Sequence, residues 1–281
     1  MKHLPSKGFT LIEMAVVLTI IGLIVGGITA GQSLIRQSQI NSIVTDSQKY
    51  ITAAKFFQQK YGALPGDMSN AVAYWGSIAG TTPFTTSCYQ AAGYSTKGTA
   101  TCNGDGNGQV AESAYSTYPT TYLVEAFLFW QHLSNAQLIP LMYTGAVGSA
   151  GYGSTTPPGG DHVIGTNSPN TRIDGVGFGV GYIGTITSSM TGAVANYYAG
   201  NYGHVLVAGS YSSANLPVGA AFTPVEAQSV DTKFDDGLPG SGNILTWVNS
   251  TGFTPNCATS STAYKVATKT PQCSLIFITG F

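Results

Sequence analysis

The chain has 281 residues, with eleven Lys and Arg against twelve Asp and Glu, for a formal charge of −1. Only 8% of residues are charged and 43% are hydrophobic, which excludes a polyelectrolyte disordered chain and a basic field for nucleic acid; the length suits one sizeable core. Thirty-six glycines and sixteen tyrosines point to a β-rich, loop-rich protein with a nearly neutral surface.

Lys2, His3 and Lys7 precede a run in which every residue from 9 to 31 is apolar, small or hydroxylated except Glu13. That is about 23 residues, against the roughly 20 that span a bilayer core. The basic flank keeps the N-terminus cytoplasmic and sends the rest of the chain across the membrane. An ordinary cleaved signal with Ile28-Thr29-Ala30 as its small-residue site is the competing reading, but the run is too long and the helical pattern continues beyond it. A plain anchor leaves Glu13 unexplained, because an ionisable residue at the centre of a membrane helix costs roughly 2.5–3.5 kcal/mol on insertion scales.

The stretch KGFTLIEMAVVLTIIGLIV resembles the class III signal of type IV pilins and of the pseudopilins of type II secretion systems. The resemblance is strict over about the first 30 residues and looser along the helix to Tyr61. It implies that a membrane-embedded prepilin peptidase cuts after Gly8, that Phe9 becomes an N-methylated N-terminus, and that Glu13 pairs with the Phe9 amine of a neighbouring subunit to set the axial register. Cutting there removes Lys2 and Lys7 and leaves nine bases against twelve acids. Gly22, Gly26, Gly27 and Gly31 lower helix propensity, yet they let helices approach closely in lipid, which suits a helix bundled in a filament core.

Beyond the apolar run, Ile40, Ile43, Val44, Tyr50, Ile51, Ala54, Phe57 and Tyr61 recur at helical spacing opposite Gln39, Asp46, Gln48, Lys49, Lys55 and Lys60. One helix over 9–61 is expected, stopped by Gly62 and turned by Pro65-Gly66. A short helix over 67–80, capped by Asp67 or Ser69, follows. The segment 81–121 reads as an excursion closed by a disulfide. Its loop Asn103-Gly104-Asp105-Gly106-Asn107-Gly108 spaces oxygen-bearing side chains as a calcium loop does, but position twelve is Ala114, and a polar turn is the preferred reading.

Residues 122–139 read as a second amphipathic helix ended by Pro140, with His132 on a polar face or satisfied in the core. Residues 145–170 are a Gly/Pro/Ser/Thr-rich loop. From 175 to 184, Val176, Phe178, Val180 and Tyr182 alternate with glycines, the pattern of a strand with one bare face for a close neighbour. Gly179, Gly181 and Gly184 also fit GxGxxG, but no helix or ribose-binding acid follows. Further strands are expected at 204–209, 244–249 and 274–279.

Thr223-Pro224-Val225-Glu226 is a capping box with proline at the first helical position, opening a helix through Val230 and Phe234 to Gly237. Asp231, Asp235 and Asp236 crowd its last turn, where the helix dipole favours cations. Compensation is expected from Lys233, from Arg172, or from calcium, the one candidate cofactor, by analogy with major pseudopilins; solvated acids beside a turn are the preferred reading. Four cysteines in an exported chain imply disulfides, and the local connectivity is Cys88–Cys102 and Cys257–Cys273. No CxxC supports a thiolate metal site.

The fold class is α+β: a long N-terminal helix packed on an antiparallel sheet with additional short helices. Its parts are a leader (1–8), a membrane half (9–31), an amphipathic half (32–61) and an extracytoplasmic globular domain (62–281). No nucleophile elbow, phosphate loop or metal-ligand set marks an enzyme. The resemblance implies a structural prepilin polymerised into a pilus. A type II secretion pseudopilin and a filament-tip adhesin or ligand-binding minor pilin are the alternatives. The implied partners are the prepilin peptidase, other pilin subunits, the assembly platform and ATPase, and the membrane. The implied location is the bacterial inner membrane before assembly and a periplasmic or extracellular filament afterwards.

Overall fold

In the computed structural model the described residues are 9–78, 98–110, 125–146, 162–187, 197–210, 216–247 and 257–281. Helix α1 runs unbroken from Leu11 to Tyr61 and ends on Gly62, which takes the left-handed conformation (φ 70°) and returns its N–H to the Gln58 carbonyl. Its two halves differ in what surrounds them. Leu11, Leu23 and Leu34 are 88%, 80% and 71% exposed, whereas Ile40, Ile43, Val44, Tyr50, Ala54 and Phe57 are buried at the expected three- and four-residue spacing.

The sheet over which the lower half lies has the order β1-β2-β6-β3, with β1 Val176–Ile186, β2 Gly200–Ser210, β3 Ile244–Thr246 and β6 Leu275–Ile278. All its pairings are antiparallel, so the fold is α+β. Registers place Val180 opposite Leu206, Leu206 opposite Phe277 and Phe277 opposite Ile244, giving an apolar row across the inner face. Tyr50 of α1 meets Phe178 and Trp130 edge-on, with ring centroids 5.3 and 5.1 Å away. Val205, Val207, Leu245 and Ile276 form a second, smaller cluster on the opposite face with Leu216 and Tyr202. Both faces of the sheet are therefore buried.

The glycine face of β1 is covered by backbone and loop. A side chain at Gly177 would strike Ile164 and the Pro169 carbonyl, and one at Gly179 would strike Pro217 and Leu216. The strict alternation ends at a bulge around Tyr182 and Gly184, which leaves Tyr182 40% exposed and out of the core.

Three elements are shorter than their sequence patterns. Helix α2 spans Ala71–Trp75 only; its N-cap is Asn70, without a side-chain bond, and neither Asp67 nor Ser69 caps it. The Asn103 side chain instead accepts the Val72 N–H at 2.8 Å, and Asp67 is drawn into another contact. Helix α3, described over Glu125–Asn135, stops well before Pro140. Its end is a Schellman arrangement: Gln137 sits at φ 59°, its N–H reaches the Ser134 carbonyl, and Leu138 N–H reaches Leu133 O. A non-glycine left-handed residue carries no sequence signal. Helix α4, Pro224–Phe234, has the expected Thr223/Glu226 capping box, but Asp235 ends it and Phe234 is exposed.

Cys257 and Cys273 are bonded, with Cα atoms 5.0 Å apart. The loop they close holds a hairpin, β4 Ala258–Ser260 with β5 Ala263–Tyr264, that polar composition concealed. Tyr264 anchors the hairpin in the core. On the other side, Cys273 and Phe222 exchange backbone bonds, which ties the approach to β6 to the start of α4. Cys102 is also disulfide-bonded, and its expected partner Cys88 lies outside the described residues.

Candidate functional site

Three places carry the chemistry that the sequence singled out: the start of α1, the last turn of α4, and the loop 103–108. At the start of α1, Thr10 is the N-cap. Its N–H and hydroxyl donate to Glu13 Oε2 at 2.7 and 2.8 Å, and its Oγ1 accepts the Glu13 N–H at 3.3 Å. This is a capping box, Thr-x-x-Glu, of the same form as Thr223-x-x-Glu226. Sequence reasoning recognised the second and missed the first, because the apolar context drew attention to the charge of Glu13 rather than to its spacing. Glu13 therefore has a partner inside its own chain. Gly8, the expected last leader residue, lies outside the described residues, and Phe9, one residue before the cap, is 80% exposed.

The junction between the two halves of α1 is held by Arg36. Its guanidinium donates to both Glu226 oxygens at 2.7 and 3.1 Å and to the Ala221 carbonyl at 3.0 Å. Burial alone would raise the Glu226 pKa, but the guanidinium and the Thr223 N–H outweigh it and hold the carboxyl below its ordinary range. Among the described residues this is the one salt bridge. Glu226 thus caps α4 and clasps α1 with one carboxylate.

In the last turn of α4 the three acids do gather: Asp231, Asp235 and Asp236 offer oxygens that lie within 4.8 Å of one another. Their charges are met by neutral donors. Asp231, fully buried, takes the Tyr264 hydroxyl at 2.6 Å and the Gly237 N–H at 3.1 Å. Asp235 takes the N–H groups of Asn243 and Ile244 and the Asn243 amide. Asp236 takes the Leu238 N–H and the Ser241 hydroxyl. Every oxygen of the three carboxylates accepts at least one bond. Lys233, one expected counter-charge, reaches Asn41 instead, and Arg172 offers its carbonyl to Gln39. Burial pushes Asp231 up to about 6 despite the Tyr264 and Gly237 bonds, and the charges of Asp236 and Asp235 add to the rise. The cluster sews the end of α4 to β3 and to the Tyr264 hairpin.

The loop 103–108 is brought against the turn after α1 and the start of α3. Gly104 donates to the Met68 carbonyl at 2.9 Å, and a Cβ at Gly104 would collide with the Gly66 and Asp67 backbone. Asp105 N–H donates to Glu125 Oε1 at 2.9 Å, and Gly108 N–H to Asp67 Oδ2 at 3.0 Å. Beneath them His132 is buried, its Nδ1 accepting the Gly66 N–H at 2.9 Å while Nε2 faces Thr101 and Cys102 O. Burial drives its pKa down to about 4, so it is a neutral, satisfied core histidine. Asp67 is legible only as a candidate helix cap, and Glu125 belongs to no motif that sequence alone displays.

Comparison with known proteins adds one match. Residues 5–29 fit the family model for the prokaryotic N-terminal methylation motif, which is characteristic of type IV pilins and pseudopilins. No curated protein and no solved structure matches the chain. The motif, the exposed apolar helix and the Cys257–Cys273 disulfide together fit a membrane-anchored precursor of the pilin and pseudopilin type.

Proposed function

We propose that the chain is a structural subunit rather than an enzyme: a prepilin cut between Gly8 and Phe9, N-methylated on Phe9, held in the bacterial inner membrane with its N-terminus cytoplasmic, and polymerised through the upper half of α1 into a pilus. The observation that carries this reading is the contrast within α1, whose most apolar window is wholly unburied in the monomer while the same helix continues into the core. An apolar surface of that size is stable in lipid before assembly and against other copies of the helix afterwards. Gly22, Gly26, Gly27 and Gly31 meet nothing in the monomer, which leaves their flat surfaces to neighbouring helices.

In this reading Glu13 has two successive partners. In the precursor it caps α1 through Thr10. After cleavage, the free Phe9 amine of an adjacent subunit offers a full positive charge that Thr10 cannot match, because attraction between opposite charges is strong in a low-dielectric surrounding. The prepilin peptidase, the assembly ATPase and its platform are the implied partners.

Mass spectrometry of a sheared extracellular fraction tests the proposal. The expected result is a fraction dominated by this chain, beginning at N-methylated Phe9. Trace amounts within fibres of another subunit would assign it to the tip, and absence of fibres to a secretion pseudopilus. A mature chain beginning near Gly31 would overturn the processing itself.

A further inference from the structure

We propose that Asp67, Asp105 and Glu125 form a calcium site that clamps the turn after α1 to the loop 103–108 and the start of α3. The three side chains come from separate parts of the chain, yet each offers an oxygen within 4.8 Å of the other two. The independent observation is Asp67. It is 3% exposed, its Oδ2 is held by Gly108, and its Oδ1 is sealed from solvent and accepts no hydrogen bond. A buried carboxylate oxygen without a donor is costly unless a proton or a cation serves it. The one salt bridge among the described residues is the distant Arg36–Glu226 pair, so no described basic side chain is paired with Asp67.

The contrast with the α4 cluster is direct, since there all six oxygens are served by protein donors.

The donor set selects the ion. Three carboxylates, with no sulfur and no available imidazole, suit a hard cation, because His132 is committed to Gly66 and to the Thr101 side. Calcium tolerates the irregular geometry of a loop meeting a helix, whereas magnesium demands near-ideal octahedral placement. The Asn103-to-Gly108 run has the polar spacing of a calcium loop but no acid at its twelfth position. Here the missing charge comes from Asp67 and Glu125, which the tertiary structure delivers. Extracellular calcium-loop modules bind calcium with dissociation constants of about 10⁻⁴–10⁻³ M, which sets the concentration range for the test.

The test uses the full mature chain in detergent. Equilibrium dialysis with calcium should show one bound ion, and at a hundredfold excess over the dissociation constant Tm should rise by about 5–10 °C over its value in chelator. Asp105→Asn alters a residue that is not buried and should fold, while binding calcium at least tenfold more weakly, and Glu125→Gln should behave alike. Asp236→Asn should leave the response intact. Two results overturn the proposal: no bound calcium in the native chain, or calcium binding that survives Asp105→Asn and Glu125→Gln. Loss of binding in Asp236→Asn alone would move the site to α4 and equally overturn it.

Discussion

The upper and lower halves of α1 are one continuous helix, both rich in aliphatic side chains, with opposite fates. Ile20 and Ile24 are about half exposed, while Ile40 and Ile43 are sealed in the main core. Nothing in the local backbone distinguishes them, for the helix is unbroken from Leu11 to Tyr61. The difference is one of period. In the lower half apolar residues occupy one face and polar residues the other, so a single sheet can bury the stripe. In the upper half they occupy every face, and only a surrounding apolar medium or a bundle of like helices can satisfy them. A helix can thus be a core element and an anchor at once, with Arg36 marking the boundary.

That division can be broken experimentally, and the largest effect is expected at its upper end. Gly8→Val should leave full-length, uncut precursor in the membrane, read as an unshifted band and an intact leader by mass spectrometry. Glu13→Gln and Glu13→Ala separate the two roles of the acid. Glutamine keeps a capping-box partner for Thr10 but removes the charge. If the charge drives assembly, both variants should lower filament yield by about ten- to a hundredfold, the equivalent of a lost charge-assisted bond. Wild-type yield from Glu13→Gln with loss only in Glu13→Ala would reduce the residue to a helix cap. In either variant the Tm of the globular part should not move.

The lower half should respond in the opposite way. Phe57 is fully buried and lies against Tyr61, Trp75 and the stacked ring of His132. Phe57→Ala should destabilise the fold by about 3–5 kcal/mol in denaturant titration without changing cleavage at Gly8. Processing that fails in this variant would show that the halves are not independent.

Cys257→Ser probes the far side of the same core. Closing a loop of this size contributes about 3 kcal/mol in the chain-entropy model. Tyr264 and its bond to Asp231 still hold the hairpin, so the measured loss should fall at or below that figure. A loss well above it would mean that the hairpin has no hold of its own.

The smallest effect belongs to the boundary. Arg36→Met should cost about 1–2 kcal/mol, between the ranges for exposed ion pairs and charge-assisted bonds. Because the Glu226 pKa is depressed, the contribution of the pair is present at neutral pH and is lost as the pH falls through the lowered folded value. Wild type and variant should therefore differ in Tm at pH 7 and converge in acid. A difference that persists below the ordinary carboxylate range would assign the effect to the packing of the Arg36 stem.

Much of the fold is legible residue by residue. The 3.6-residue period of Ile40 to Phe57, the stop at Gly62, the Val176 to Val180 alternation and the Thr223 capping box are local signals, and each element exists where its signal lies. The misses have local causes too. Gln137 ends α3 in a conformation normally signalled by glycine, and the β4–β5 hairpin has only Ala258, Ala263 and Tyr264 among polar residues. The α4 acids were legible as a group, but their neutral donors were not, since Asn243, Ile244 and Tyr264 arrive from later elements.

The sequence by itself determined the anchor, the processing motif, the two-sided character of α1 and the α+β class, because periodicity, charge placement and short motifs act over one or two helical turns. Only the tertiary structure decided which acids come together. Asp67, Asp105 and Glu125 are far apart in the chain, and they converge because Gly66 and Gly104 lack the side chains that would hold α3, the turn and the loop apart. Backbone approach of that kind depends on three segments at once, and no one-dimensional pattern encodes it.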